Sequence, residues 1–126
     1  MLTNAAVTTI LPVIDAERAR RFYETTLGLN YVGQSGDGKY MFSIGSGTLA
    51  LLQKAEGTRA EHTALSFEVA DTASAVRELT ARGVTFEDYD YPGLKTIDKV
   101  CILGSEKAAW FKDPEGNILC VHQVLA

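Results

Sequence analysis

Hydrophobic and polar positions follow two periods along this chain, and the places where one gives way to the other mark its elements. An apolar extended run ends at Val13-Ile14-Asp15. After it Ala16, Ala19, Phe22, Tyr23, Thr26 and Leu27 fall on one side of a 3.6-residue period, which predicts an amphipathic helix. Asp15 is placed to cap that helix, and Gly28 suits the left-handed position just past its end. Three short runs follow, LNYVGQ, KYMFSI and TLALLQ, separated by Gly36-Asp37-Gly38 and Gly45-Ser46-Gly47. The Asp37-Gly38 and Ser46-Gly47 pairs suit tight hairpins between strands.

About 55 residues downstream the pattern returns. HTALSFEV alternates with period two, putting Thr63, Leu65, Phe67 and Val69 on one face and His62, Ala64, Ser66 and Glu68 on the other. Val69-Ala70-Asp71 then opens a helix whose apolar positions are Thr72, Ala75, Val76 and Leu79 and which stops at Gly83. FEDYDY reads as a strand broken by Pro92-Gly93, KAAWFK as another, and Asp113-Pro114-Glu115-Gly116-Asn117 as the turn into ILCVHQ. Each half is therefore expected to be β-α-β-β-β, an α+β class. The halves are tandem modules, residues 1–55 and 60–126, of one domain spanning 1–126, with the polar stretch 54–61 as connector. One such module covers one sheet face with its helix and leaves the other bare, so the bare faces are expected to meet around a shared cavity.

Composition narrows the partners. Of 126 residues 46% are hydrophobic and 22% charged, enough for a real core, and the net charge of -4 lacks the concentrated positive surface that nucleic acid attracts. No apolar run reaches the roughly 18 residues of a membrane span, and MLTNAAVTT lacks the basic and apolar regions of a signal peptide. A cytoplasmic protein with neither nucleic acid nor membrane as partner is expected. Cys101 and Cys120 are expected as buried thiols, and two histidines, His62 and His122, exclude any three-histidine site.

The segments LPVIDAERARRFYETTLGL, FEVADTASAVRELTARGV and AAWFKDPEGNILCVHQ resemble the vicinal oxygen chelate superfamily of glyoxalases, bleomycin-resistance proteins and extradiol dioxygenases. The resemblance implies paired modules forming a cupped mixed sheet, commonly a homodimer, and a divalent metal that binds two vicinal oxygens of a substrate. The positions it implies for metal ligands fall on Thr8, near Ala50, and on Ala64 and Cys120. None carries the expected His or Glu, and one cysteine cannot supply the three protein ligands of a catalytic metal. A displaced set of His62, Cys120 and His122 would have to converge from different levels along the strands. No metal and no cofactor is therefore expected.

Alternation and hairpin pairing predict the cavity lining. Pairing across Ser46-Gly47 sets Met41 beside Leu52 and Ser43 beside Ala50, and pairing across 113–117 sets Trp110 beside Cys120. With Thr8, Ile10, His62, Ala64, Ser66 and His122 these form an apolar pocket with a few polar groups. Trp110 suits stacking on a planar ligand, or simply core packing. Cys120 would serve as a nucleophile only with a base such as His122 to lower its pKa. Tyr89, Asp90, Tyr91 and Lys95 flank the Pro92-Gly93 break as a candidate lip. The first expectation is metal-independent binding of an apolar or aromatic small molecule. The alternative is a glyoxalase-like lyase or isomerase acting on a small carbonyl compound, with His62, Glu68 or His122 as acid or base. A third reading is a dimeric partner module whose cavity is filled by its own side chains.

Overall fold

A computed structural model describes residues 1–45 and 47–125. The chain forms two compact units, one of Met1–Arg59 with Pro114–Gly116, the other of Ala60–Asp113 with the residues from Asn117 onward. In the first, β1 (Thr8–Val13), α1 (Ala16–Arg21), β2 (Asn30–Gln34), β3 (Tyr40–Ile44) and β4 (Gly47–Gln53) build a four-stranded sheet in the order β1-β4-β3-β2. The second uses β5 (Thr63–Glu68), α2 (Thr72–Ala81), β8 (Cys101–Leu103), β9 (Glu106–Lys112) and β10 (Ile118–Val124) in the order β5-β10-β9-β8. In both sheets the first strand runs parallel to the last and the other pairs are antiparallel. The same β-α-β-β-β connectivity occurs twice, and the fold is α+β.

The helix signals act as the sequence indicates. Asp15 accepts from the Arg18 amide at 3.1 Å, and Asp71 accepts from the Ala73 amide at 3.1 Å and the Ser74 hydroxyl at 2.9 Å. Gly28 and Gly83 take φ of 73° and 96° at the helix exits. After Arg21 the first helix widens into a π-turn, Phe22–Thr26, in which the Leu27 amide reaches back to Phe22 O. The left-handed Gly28 then brings the Leu29 amide to Tyr23 O at 2.9 Å, which gives that carbonyl a partner where the helix ends. Tyr23, Phe42, Leu49 and Leu51 fill the core of the first unit; Phe111, Leu119, Val121 and Phe86 fill that of the second.

Three strand-level expectations are corrected. Met41 pairs with Ala50 and Ser43 with Thr48, because Ile44 already pairs with Gly47 and the turn closes one residue earlier. Ser46 of the expected Ser46-Gly47 turn lies outside the described residues. A two-residue slip keeps the pleat in phase, so Met41, Ser43, Ala50 and Leu52 still share a face. FEDYDY is not one strand: Phe86 makes an isolated bridge to Phe111, and only β6 (Asp90–Tyr91) is extended, pairing with β7 (Leu94–Lys95). The strand that follows α2 in the sheet is β8, whose three residues are too few to show a period. Residues 84–100 are thus an insertion that the first unit lacks.

The turn between β9 and β10 holds a buried charge. The Glu115 side chain has no exposed surface, and its Oε1 accepts from the amides of Ile14 and Asp15 at 2.9 Å each. Arg18 adds Nε to Oε2 at 2.7 Å and Nη2 to Oε1 at 3.0 Å. Burial works against the charged carboxylate, but the Arg18 and amide hydrogen bonds outweigh it and hold its pKa below the ordinary value. Beside it Gly57 sits at φ +60°, where a Cβ would lie 2.6 Å from Ile14 Cγ1. Among the described residues no helix is long and apolar enough to cross a membrane.

Two stability predictions follow from these contacts. Gly57→Ala combines a left-handed backbone with that close contact and is expected to cost about 2 kcal/mol in urea unfolding. Glu115→Gln is expected to cost about 2 kcal/mol at pH 7 through the lost charge-assisted bonds. A carboxylate with a lowered folded pKa stabilises above its unfolded value of about 4.3 and loses that advantage as pH falls through the folded value. The gap between Glu115→Gln and the parent should therefore close in acid, and a gap constant from pH 7 to pH 3 would contradict the assignment.

Candidate ligand-binding site

Each sheet has a face turned away from its helix. In the first unit this face carries the rows Thr8–Thr48–Ser43 and Ile10–Ala50–Met41, with Leu52 beside Pro12 at the end. Ile10 is 53% exposed, whereas Ala50 is buried, at 1% exposure. All six first-unit lining candidates, Thr8, Ile10, Met41, Ser43, Ala50 and Leu52, occupy this face. None of them ionises, so the face offers shape and hydroxyl hydrogen bonds but no proton transfer.

The second unit presents the richer chemistry. Cys120 lies between Ser66 and Trp110, and His122 between Glu68 and Ala108. Ser66 Oγ and His122 Nδ1 share a hydrogen bond of 2.6 Å, and His122 Nε2 is 3.7 Å from Glu68 Oε1. With the ring proton on Nε2, facing Glu68, the histidine accepts from the serine hydroxyl. Tyr89 stands edge-on to the Trp110 ring at 5.6 Å between centroids. It is held there because its amide donates to Thr96 Oγ1 at 2.9 Å and its carbonyl accepts from the Thr96 amide at 2.9 Å.

The strict alternation expected for β5 fails at its start. Ile118 pairs with Thr63 but Leu119 pairs with Leu65, so Ala64 is the extra residue of a bulge. The bulge turns Thr63 onto the Trp110 face, where its Oγ1 accepts from the indole Nε1 at 3.2 Å. Period-two alternation sets Thr63 instead on the face of Leu65 and Phe67, opposite Ser66. His62 lies in a bend before the strand and is exposed, so it does not join Ser66, Trp110, Cys120 and His122. Sequence alternation had no means to show the bulge; the partner role of Thr63 and the placement of Tyr89 depend on it and on the inserted hairpin.

Both cysteines are buried and free. Burial pushes the Cys120 thiol up, against the lowering effect of a Ser66 hydrogen bond, and its Sγ donates to Val121 O at 3.4 Å. A thiol held protonated in this way is a poor nucleophile. Burial also raises the Tyr89 phenol, with the charges of Glu87 and Tyr91 adding to the effect.

The model of the Glyoxalase/Bleomycin resistance protein/Dioxygenase superfamily matches residues 5–121. The chain belongs to this superfamily. A putative glyoxalase family protein of Bacillus anthracis is similar in structure, at a TM-score of 0.75, 16% identity and coverage of 96% of this chain and 95% of that one. An antibiotic-binding protein of Streptomyces sp. CB03234 gives 0.71 at 21% identity, covering 98% of each chain. A lactoylglutathione lyase of Agrobacterium tumefaciens gives 0.69 at 20% identity, covering 98% and 96%. No curated protein matches by sequence.

The divalent metal implied by the superfamily resemblance meets a poor donor set in this member. Thr8 and Ala50 stand at its positions in the first unit, Ala64 and Cys120 in the second. The two alanines have no side-chain lone pair, the threonine is neutral, and the thiol is kept protonated by burial. Among the described residues no three His, Cys, Asp or Glu side chains cluster in a metal-binding arrangement. These residues do not fit the ion.

The thiol environment gives a direct check. In the folded protein at pH 7.5 Cys101 and Cys120 should both resist iodoacetamide, and both should be alkylated in urea. Rapid modification of Cys120 in the native state, read by peptide mass, would show an activated thiolate instead.

Proposed function

We propose that this superfamily member binds an apolar or aromatic small molecule on the open face of its second sheet, without a metal. The observation that carries this reading is the Trp110–Tyr89 pair. Trp110 is half-buried and its indole N–H is bonded to Thr63, so a ligand that stacks on the ring meets an aromatic surface whose polar atom is already satisfied. Ala108 and Cys120 give the surface beside it a small, apolar floor, and Ser66 and His122 place a polar edge on the same face. The poor metal donor set supports a site that works by contact and hydrogen bonding. The similarity to an antibiotic-binding protein is in keeping with a binding role. A homodimer in the cytoplasm is the accompanying expectation.

The test is a titration of Trp110 emission, the only tryptophan signal in the chain. Neutral planar probes such as 2-naphthol and acridine should give a saturable change that survives chelation by EDTA, and Tyr89→Leu should weaken it about tenfold. Binding that disappears on chelation and returns with zinc or manganese would end the metal-free reading.

One observation favours the enzyme reading as a second choice. Ser66 Oγ meets His122 Nδ1 at 2.6 Å with Glu68 Oε1 3.7 Å from Nε2, which orients an imidazole whose Nδ1 lone pair, once the Ser66 hydroxyl rotates away, can take a proton from a small carbonyl compound. Exchange of the carbon-bound hydrogens of hydroxyacetone in D2O, followed by NMR, should then be accelerated by the protein with or without EDTA. His122→Gln should abolish the acceleration.

A further inference from the structure

The second unit has a cavity of about 650 Å³ on its helix side, away from the Trp110 face. It exists because α2 packs over β9 and β10, and β8 runs beyond the helix at the sheet edge. Val76 of α2 and Val100 and Ile102 of the β8 region line it, and Ile97 from the insertion forms a wall. Ile97 is 70% and Ile102 66% exposed, an unusual outlay of apolar surface for two neighbouring side chains. Ile97 is fixed by two reciprocal backbone bonds with Val100, at 2.8 and 3.1 Å, across a turn in which Asp98 and Lys99 both adopt positive φ, 52° and 73°. A turn of that kind is normally made by Asn and Gly, so two ordinary residues hold a strained wall in place.

The charges around this apolar floor are uneven. Arg77, Lys95 and Lys107 line the cavity, against Asp98 as the one acid among its lining residues, in a chain whose net charge is -4. Lys107 is half-buried, next to Ile102 in the strand pairing. Among the described residues none of the three cations closes a salt bridge; Arg77 donates to Ser74 Oγ at 3.0 Å and contributes field at the exposed Asp71. An anion with an apolar body complements both features at once. Its head would meet the ammonium and guanidinium groups, and its tail would cover Ile97, Ile102, Val100 and Val76.

We propose that this cavity is a second ligand site, for a free amphipathic carboxylate such as a medium-chain fatty acid or an arylalkanoic acid. It shares no lining residue with the Trp110 face and does not depend on the function proposed above. The size suits a single small molecule. Neither a neutral amphiphile nor a cation would satisfy the basic rim.

Sodium octanoate below its micellar concentration is the probe, with 1-octanol as the neutral control, read by calorimetry and by 1H–15N shift mapping of the intact chain. The expected result is saturable octanoate binding with shifts confined to α2 and residues 95–107, binding of octanol weaker by about tenfold, and no change in Trp110 emission. The double variant Arg77→Gln/Lys107→Gln and, separately, Ile102→Asp at its exposed position should each lower octanoate affinity about tenfold. Equal binding of octanol, shifts centred on the Trp110 face, or variants that bind as the parent does would each overturn the proposal. So would sedimentation showing a dimer that Ile102→Asp dissociates while octanoate fails to bind, since a second copy would then be the occupant. Failure here leaves the Trp110 titration untouched, and failure of that titration leaves this one untouched.

Discussion

The Glu115 carboxylate has no accessible surface and still carries its charge, because donors converge on it, among them two backbone amides at the end of β1 and two nitrogens of Arg18. Leaving a buried carboxylate without such partners would cost several kcal/mol, so the arrangement is all or none in character. It is also long in reach, since Glu115 lies 100 positions from Asp15. The turn that carries it, Pro114–Gly116, belongs to the first unit, although the flanking Asp113 and Asn117 belong to the second and bond to each other, Asn117 N to Asp113 Oδ1 and Nδ2 to Oδ2, at 2.8 Å each. The start of α1, the exit of β1 and the close approach of Gly57 to Ile14 are all arranged around that one side chain.

Duplication supplies two equivalent sheets, and asymmetry between them supplies the chemistry. The first unit passes from its helix to β2 within a few residues and presents a face of methyls and hydroxyls. The second interposes residues 84–100, and that insertion brings Tyr89 to Trp110 on one side of the sheet and Ile97 to Ile102 on the other. The two faces of one sheet thus serve a stacking surface and an amphipathic cavity, and the superfamily scaffold by itself specifies neither.

Much of this was legible in the chain. The two Val-x-Asp caps, the two glycine exits and the 3.6-residue stripes between them locate both helices, and the repeat they form gives the module. The pairing of Trp110 with Cys120 follows from counting across the 113–117 turn. What alternation cannot carry is a break in phase: the extra residue at Ala64 moved Thr63 to the opposite face and left His62 outside the strand. Strand β8 escaped because three apolar residues in a row have no period to read. Glu115 looked like a turn residue, since nothing local to it indicates partners 100 residues away.

The turn at Asp98 and Lys99 has a bearing on how the second unit moves. Each of two ordinary residues in a left-handed conformation costs about 1–2 kcal/mol, and the neighbouring segment is tied by single bonds such as Glu87 to Trp110 O rather than by a ladder. Opening this stretch releases strain, whereas opening the sheet forfeits a row of hydrogen bonds. Beyond the buried Val84 and Phe86, residues 87–100 are therefore expected to open ahead of the sheet, and their amides to exchange faster than those of the strands they lie against.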